Sequence, residues 1–325
     1  MTSKTILLTG ASGFVGRTVW PRLQEQGWHV RCLTRDRERA RRLYGERDWV
    51  QGDLADATVC AQALAGCDAA LYLVHSIGEG AQFGRHEVDT AKQFAEAARK
   101  AGVGRIVYLG GVAPAGAASA HLGSRLAVGE ALRAGAVPTI ELRASMIVGH
   151  GSLSWLIVRD LAARLPMMVL PAWLRSLTQP VAIEDVVEAL MAAFDVPLPQ
   201  SASFDLPGPD VMSAHEILDA TAAAMNLPRP RAIEVPLLSA RLSAHWLRFV
   251  TRADWSVAKE LVAGLTTDLL ARDDAYWHLI GHASRMAFAE AARLALQAEA
   301  AQGTVQGAWG HFERLRAKAA HLRGR

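Results

Sequence analysis

The chain has 325 residues, 51% of them hydrophobic, and balances 35 basic against 32 acidic residues for a formal charge of +3. Such a length buries a large core in one big domain or up to two, and so small a net charge gives no mandate for nucleic acid or an anionic membrane. Cys32, Cys60 and Cys67 are odd in number and lack metal-ligand spacing, which points to neither a disulfide framework nor a metal site.

The chain enters the apolar run Thr5–Leu8 with no basic, apolar and small-residue leader before it, and no 18-residue uncharged apolar run occurs anywhere. A cytoplasmic location is therefore expected. Directly after the run come Thr9, Gly10, Ser12, Gly13, Phe14, Val15 and Gly16. A strand that runs through closely spaced glycines into a helix reads as the first βαβ unit of a dinucleotide-binding domain. Gly10 permits a sharp turn, Gly13 lets backbone N–H groups approach a pyrophosphate, and Gly16 lets the helix lie close on the strand. The helix is amphipathic through Phe14, Val15, Val19 and Leu23, and a second strand spans Trp28 to Thr34. A carboxylate at the end of that strand would accept from the ribose of NAD, whereas arginine pairs with the 2′-phosphate of NADP. Thr34 and Arg35 end it, with Arg39 and Arg17 nearby, so NADP(H) is favoured; Asp36 keeps NAD(H) open.

A third strand begins at Trp49 and ends at Asp53 and Leu54, and Asp56 is expected to cap the helix Ala57–Leu64. Ala69 to His75 is a continuous apolar strand whose carboxyl end carries Val74, His75 and Ser76, on the edge where ligands bind in parallel sheets. A helix over about Arg85 to Lys100 follows. Next come a strand from Arg105 to Gly110 and Gly111, and another from Pro138 to Arg143 with Ser145 just beyond. This alternation predicts an α/β fold with a Rossmann-type doubly wound parallel sheet over residues 1–150, drawing strands from as far as 210. Residues 151–270 are expected to form a smaller, mostly helical substrate-binding lobe, with a capping box at Ser213 and Glu216. Within it, 241–250 and 255–265 are amphipathic and carry Trp246, Phe249, Trp255 and Leu261; they suit packing over the substrate cleft or on each other, with a membrane surface or lipid-like substrate as runner-up. Residues 271–325 read as a helical C-terminal extension for packing or homo-oligomerisation. His278 and His282 stand four apart, but with no glutamate between them and no third ligand in view a zinc site is not expected.

The GxxGxxG spacing, the Gly52-Asp53-Leu54 setting and the run Gln179–Leu190 resemble the extended and atypical short-chain dehydrogenase/reductase superfamily, near its NmrA-type and complex I accessory-subunit-type members and its epimerase-like proteins. That resemblance implies that Asp53 lies against an adenine ring. It also makes Val74, His75, Ser76, Gly110, Gly111 and Ser145 part of the cofactor cleft. Reductases of the superfamily use a Tyr with a Lys four residues on. Here Asp48, Ser76, Val112 and Ile280 follow the four tyrosines at that distance, and Gly110-Gly111 replace the usual Ser. His121 takes the place of the Tyr and Arg125 that of the Lys. An imidazolium is a competent acid; Arg125 can donate to ribose hydroxyls but cannot act as a base. The expected function is an NADP(H)-binding oxidoreductase for a small to medium, rather apolar carbonyl or isoprenoid-like substrate. The alternative is an NAD(P)-binding redox sensor or assembly protein without turnover.

Overall fold

The computed structural model describes residues 4–74, 81–164, 167–170, 175–228, 231–234 and 267–303. The sheet strands are β1 (Thr5–Leu8), β2 (His29–Thr34), β3 (Asp48–Gln51), β4 (Ala69–Tyr72), β5 (Arg105–Gly111), β6 (Thr139–Ala144) and the edge strand Ala202–Asp205. They form one seven-stranded parallel sheet in the order β3-β2-β1-β4-β5-β6 and then the edge strand. The order reverses between β1 and β4, which opens a crevice at their carboxyl ends. The strands are mostly hydrophobic throughout because both faces are covered.

Alternate residues of β1 go to opposite faces, as a period of two requires. Ile6 and Leu8 pack with Val19 and Leu23 of α1 (Phe14–Glu25) and with Val186 and Leu190 of α7 (Ile183–Ala192). Leu7 joins the other face, beneath α3 (Ala57–Leu64), α4 (Ala81–Ala101) and α5 (Ala120–Arg133) through Leu64, Phe94 and Leu132. Beyond β6, α6 (Leu153–Arg164) and α8 (Ala214–Ala224) pack on each other. Ser213 and Glu216 make the capping box at the start of α8, and Asp56 caps α3 by accepting from the Thr58 and Val59 N–H groups.

Two boundaries differ from expectation. Strand β4 stops at Tyr72, because Leu73 turns its N–H to the Thr9 hydroxyl, and α4 begins at Ala81. The stretch read as a C-terminal extension holds helices at Ala275–Leu279 and Phe288–Ala301, and both are built into the core. Tyr276 and Trp277 are buried in the same cluster as β1, α1 and α7. The Tyr276 hydroxyl donates to the Ala189 carbonyl and the Trp277 indole to that of Pro207. Phe288, Ala291 and Ala295 pack on Trp155 and Ile217. The amphipathic stretches 241–250 and 255–265, the last residues 304–325, and His75 and Ser76 lie outside the described residues. Among the described residues, no helix is long and apolar enough to cross a membrane.

Candidate active site

The crevice begins at the turn after β1. Gly10 has φ +66°, and a Cβ there would stand 2.8 Å from the Leu73 carbonyl oxygen of the neighbouring strand end. At Gly16 a Cβ would meet the Gly10 carbonyl oxygen at 2.3 Å, so α1 can lie on the turn only with glycine at this position. Thr9 is fully buried and ties the two strand ends together: its hydroxyl donates to the Leu71 carbonyl and accepts from the Leu73 N–H. Ser12 and Gly13 are exposed at the N-terminus of α1, where no side chain caps the first turn. An exposed helix N-terminus reached without Cβ obstruction is suited to a pyrophosphate. An alanine at position 16 would push α1 off this turn. If a ligand at a hundred times its Kd adds about 2.7 kcal/mol of stability, Gly16→Ala should abolish the thermal shift with NADPH; an undiminished shift would count against the cradle.

At the next strand end, Thr34 is half-buried and Arg35 is exposed. Asp36 is the N-cap of α2 (Arg37–Tyr44), its Oδ1 accepting from the Arg39 N–H at 2.9 Å. The Arg17 guanidinium lies over the Tyr44 ring at 5.9 Å, and the Tyr44 hydroxyl donates to the Ser12 carbonyl at 3.3 Å. After β3, Asp53 accepts from the Ala55 N–H at 2.9 Å and Leu54 is buried. Gln93 of α4 donates to the Leu54 and Ala55 carbonyls and so steadies this loop. Val74 follows the end of β4. Ser145 lies past the end of β6 and donates to the Gln179 carbonyl at 2.9 Å.

The second half of the site is the seam between β5 and α5. The helix is capped by Ser119, whose side chain accepts from the Leu122 N–H. One turn in, Arg125 donates from Nη2 to the Leu109 carbonyl at 3.2 Å, while its Nε is buried without a hydrogen-bond partner. A Cβ on Gly111 would stand 3.7 Å from that Nε and 2.6 Å from a Leu122 methyl. Gly111 thus makes room for Leu122, while a Cβ on Gly110 would stand 2.9 Å from Glu141 Oε1. Burial, and secondarily the Arg125 charge, push the His121 pKa below the ordinary histidine value, against a smaller upward pull from Glu87. That push confines an imidazolium at this position to lower pH than an ordinary histidine would allow. Tyr72 and Tyr108 are buried, and burial pushes both phenols far up; neither stands in for the missing Tyr. His278 and His282 go to separate carboxylates, Asp274 and Asp185.

The structure therefore gathers Thr9, Gly10, Ser12, Gly13 and Gly16 at one crevice, and sets Arg125 beside Gly111 at the end of β5, with His121 one turn earlier on α5. Sequence reasoning missed Glu87 and Ser124, which meet between α4 and this same face of α5. It also missed Glu141, which lies fully buried in β6.

A family profile described as NAD(P)H-binding matches residues 10–162. The ceramide reductase of Caulobacter vibrioides is 30% identical over 240 residues, which span 71% of this chain and 73% of that protein. Among solved structures, the triphenylmethane reductase of Citrobacter sp. has a TM-score of 0.71 at 17% identity over 90% of this chain and 99% of that one. The WbmH enzyme of Bordetella bronchiseptica, solved with NAD+, has a TM-score of 0.64 at 17% identity over 90% and 97%. At these identities the structural likeness is one of fold. The residues from the glycine turn through α6 form an NAD(P)-binding domain.

Proposed function

We propose, from the premise that the chain belongs to the atypical short-chain dehydrogenase/reductase superfamily, that it is a cytoplasmic NADP(H)-dependent reductase of a rather apolar carbonyl or isoprenoid-like small molecule. The observation that supports the reading is Arg125 beside Gly111, one turn on from His121, with Arg125 Nε buried and unpartnered. A buried donor without an acceptor costs free energy, and an oxygen arriving from a bound ligand would relieve that cost. The bound nicotinamide supplies the hydride. In this reading His121 delivers the proton to the carbonyl oxygen, and Arg125 donates to that oxygen or to a ribose hydroxyl. A relative named ceramide reductase supports an apolar substrate. Spectrophotometry of NADPH oxidation against apolar ketones, aldehydes and enones tests the reading. Turnover with one of them would support it; tight NADPH binding with no turnover would favour the non-catalytic sensor, which the absent Tyr and Lys also favour.

The preference for NADP(H) rests on the exposed Arg35 at the end of β2, with Arg17 held on Tyr44 close by. Asp36, the residue that would read an unphosphorylated ribose, is engaged as a helix cap. NADPH should then raise Tm more than NADH does, and Arg35→Ala should shrink the difference. A larger shift with NADH would reverse the assignment.

A further inference from the structure

Glu87 of α4 reaches across to α5 and accepts a short hydrogen bond from the Ser124 hydroxyl. Ser124 is buried and stands between His121 and Arg125 on the same turn of α5. The α4–α5 seam is already filled by Ala91, Phe94, Val128 and Leu132, so packing alone does not account for a carboxylate in it. Removing such a group from water has a cost that a partner must offset. Among the described residues, Arg125 and Glu87 act on His121, and Arg125, Glu141 and Glu87 act on Tyr108 of the neighbouring strand. Arg125 is on the same helix, Glu87 comes from α4, and Tyr108 of β5 donates its hydroxyl to the Arg125 carbonyl.

We propose that Glu87, clamped by Ser124, is a positioning residue for the reduction step: its carboxylate balances the Arg125 guanidinium and sets the protonation state in which His121 meets the substrate. The inference rests on the reading of His121 as the proton donor. The signs agree with it, since Arg125 pushes the imidazole towards its neutral form and Glu87 pulls it towards its charged form. A carboxylate held on Ser124, between His121 and Arg125 in the helix, thus extends to higher pH the range over which a proton is available.

The test is an imidazole NMR titration of the full chain, with the His121 signal assigned by its loss in His121→Asn, alongside the pH profile of turnover. In Glu87→Gln, whose amide oxygen can still accept from Ser124, the His121 midpoint should move to lower pH and the alkaline limb of turnover should move with it. Glu87→Asp should restore most of the shift. Should the Gln variant fail to fold, Ser124→Ala keeps the charge but frees the carboxylate to turn to water, and the His121 midpoint should again fall. An unmoved His121 midpoint in a folded Glu87→Gln or Ser124→Ala variant overturns the proposal, even if turnover is normal and the reductase reading stands. A shifted midpoint with no turnover in any form, wild type included, instead overturns the reductase reading and leaves the electrostatic role of Glu87 in place.

Discussion

Replacing His121 with phenylalanine should lower turnover by roughly 10²–10⁴-fold, the range for loss of a positioned general acid, while NADPH affinity changes little. The imidazole stands on α5, whereas the glycine cradle that would hold the pyrophosphate is built by the turn between β1 and α1, so loss of the imidazole leaves that cradle intact. The pH dependence of the wild type follows from the downward push that burial and Arg125 exert. With the imidazolium as proton donor, turnover is highest at acidic pH and falls as pH rises through the lowered His121 pKa. Stability carries the same group with its own sign. The folded pKa lies below the unfolded one, so the unfolded chain binds more protons in the window between them. His121 therefore removes stability as pH falls through that window. His121→Phe should flatten the acid side of a Tm-against-pH curve, whether or not a substrate is known. Equal turnover of His121→Phe and wild type would eliminate the acid role.

Substitution of Glu141 by alanine should destabilise the fold by about 3–5 kcal/mol, because it leaves charges without their counter-ion in the interior. Glu141 is fully buried in β6 and accepts from Arg133 Nε at 2.7 Å, Arg143 Nε at 3.0 Å and Arg143 Nη2 at 3.1 Å. Its carboxylate occupies the space above Gly129, where an added Cβ would stand 2.3 Å from Oε1. The pair of arginines, the carboxylate and the glycine thus form one unit that ties β6 to the end of α5, the helix that carries His121 and Arg125. On the scale of 2–4 °C per kcal/mol for large domains, Tm should fall by roughly 6–20 °C. A fall below about 1 kcal/mol would mean that water reaches Arg133 and Arg143 once the carboxylate is gone. Glu141 would then not be holding the unit together.

Much of this fold can be read locally. The glycine turn, the Asp56 cap and the Ser213–Glu216 box are each set by residues within six positions of one another, and each is found where its spacing puts it. The parallel sheet follows from apolar strands alternating with amphipathic helices. The site is less legible because its members are distant in sequence. Glu87 and Ser124 are 37 residues apart, and in a long amphipathic helix a glutamate reads as part of the solvated face. Glu141 and Arg143 did leave a signal: opposite charges two residues apart on an apolar strand share one face, and on a strand covered on both faces they must pair. Tyr276 and Trp277 left none. Nothing in an Ala-rich helical tail shows that two aromatics will be carried back to α7 and the edge strand.

That return has a consequence for how the protein is made. Tyr276 donates to Ala189, Trp277 to Pro207, and Asp210 accepts from the Phe288 N–H, contacts that span 87, 70 and 78 residues. During synthesis at about 5–20 residues per second, the sheet and α7 emerge from the ribosome well before the aromatic pair that covers them. For several seconds the nascent chain presents the apolar face of α7, around Val186 and Leu190, with nothing from the C-terminal segment over it. Final closure of the core waits for the last helices, and a message cut short before residue 276 yields a polypeptide whose apolar face stays open to chaperones and proteases.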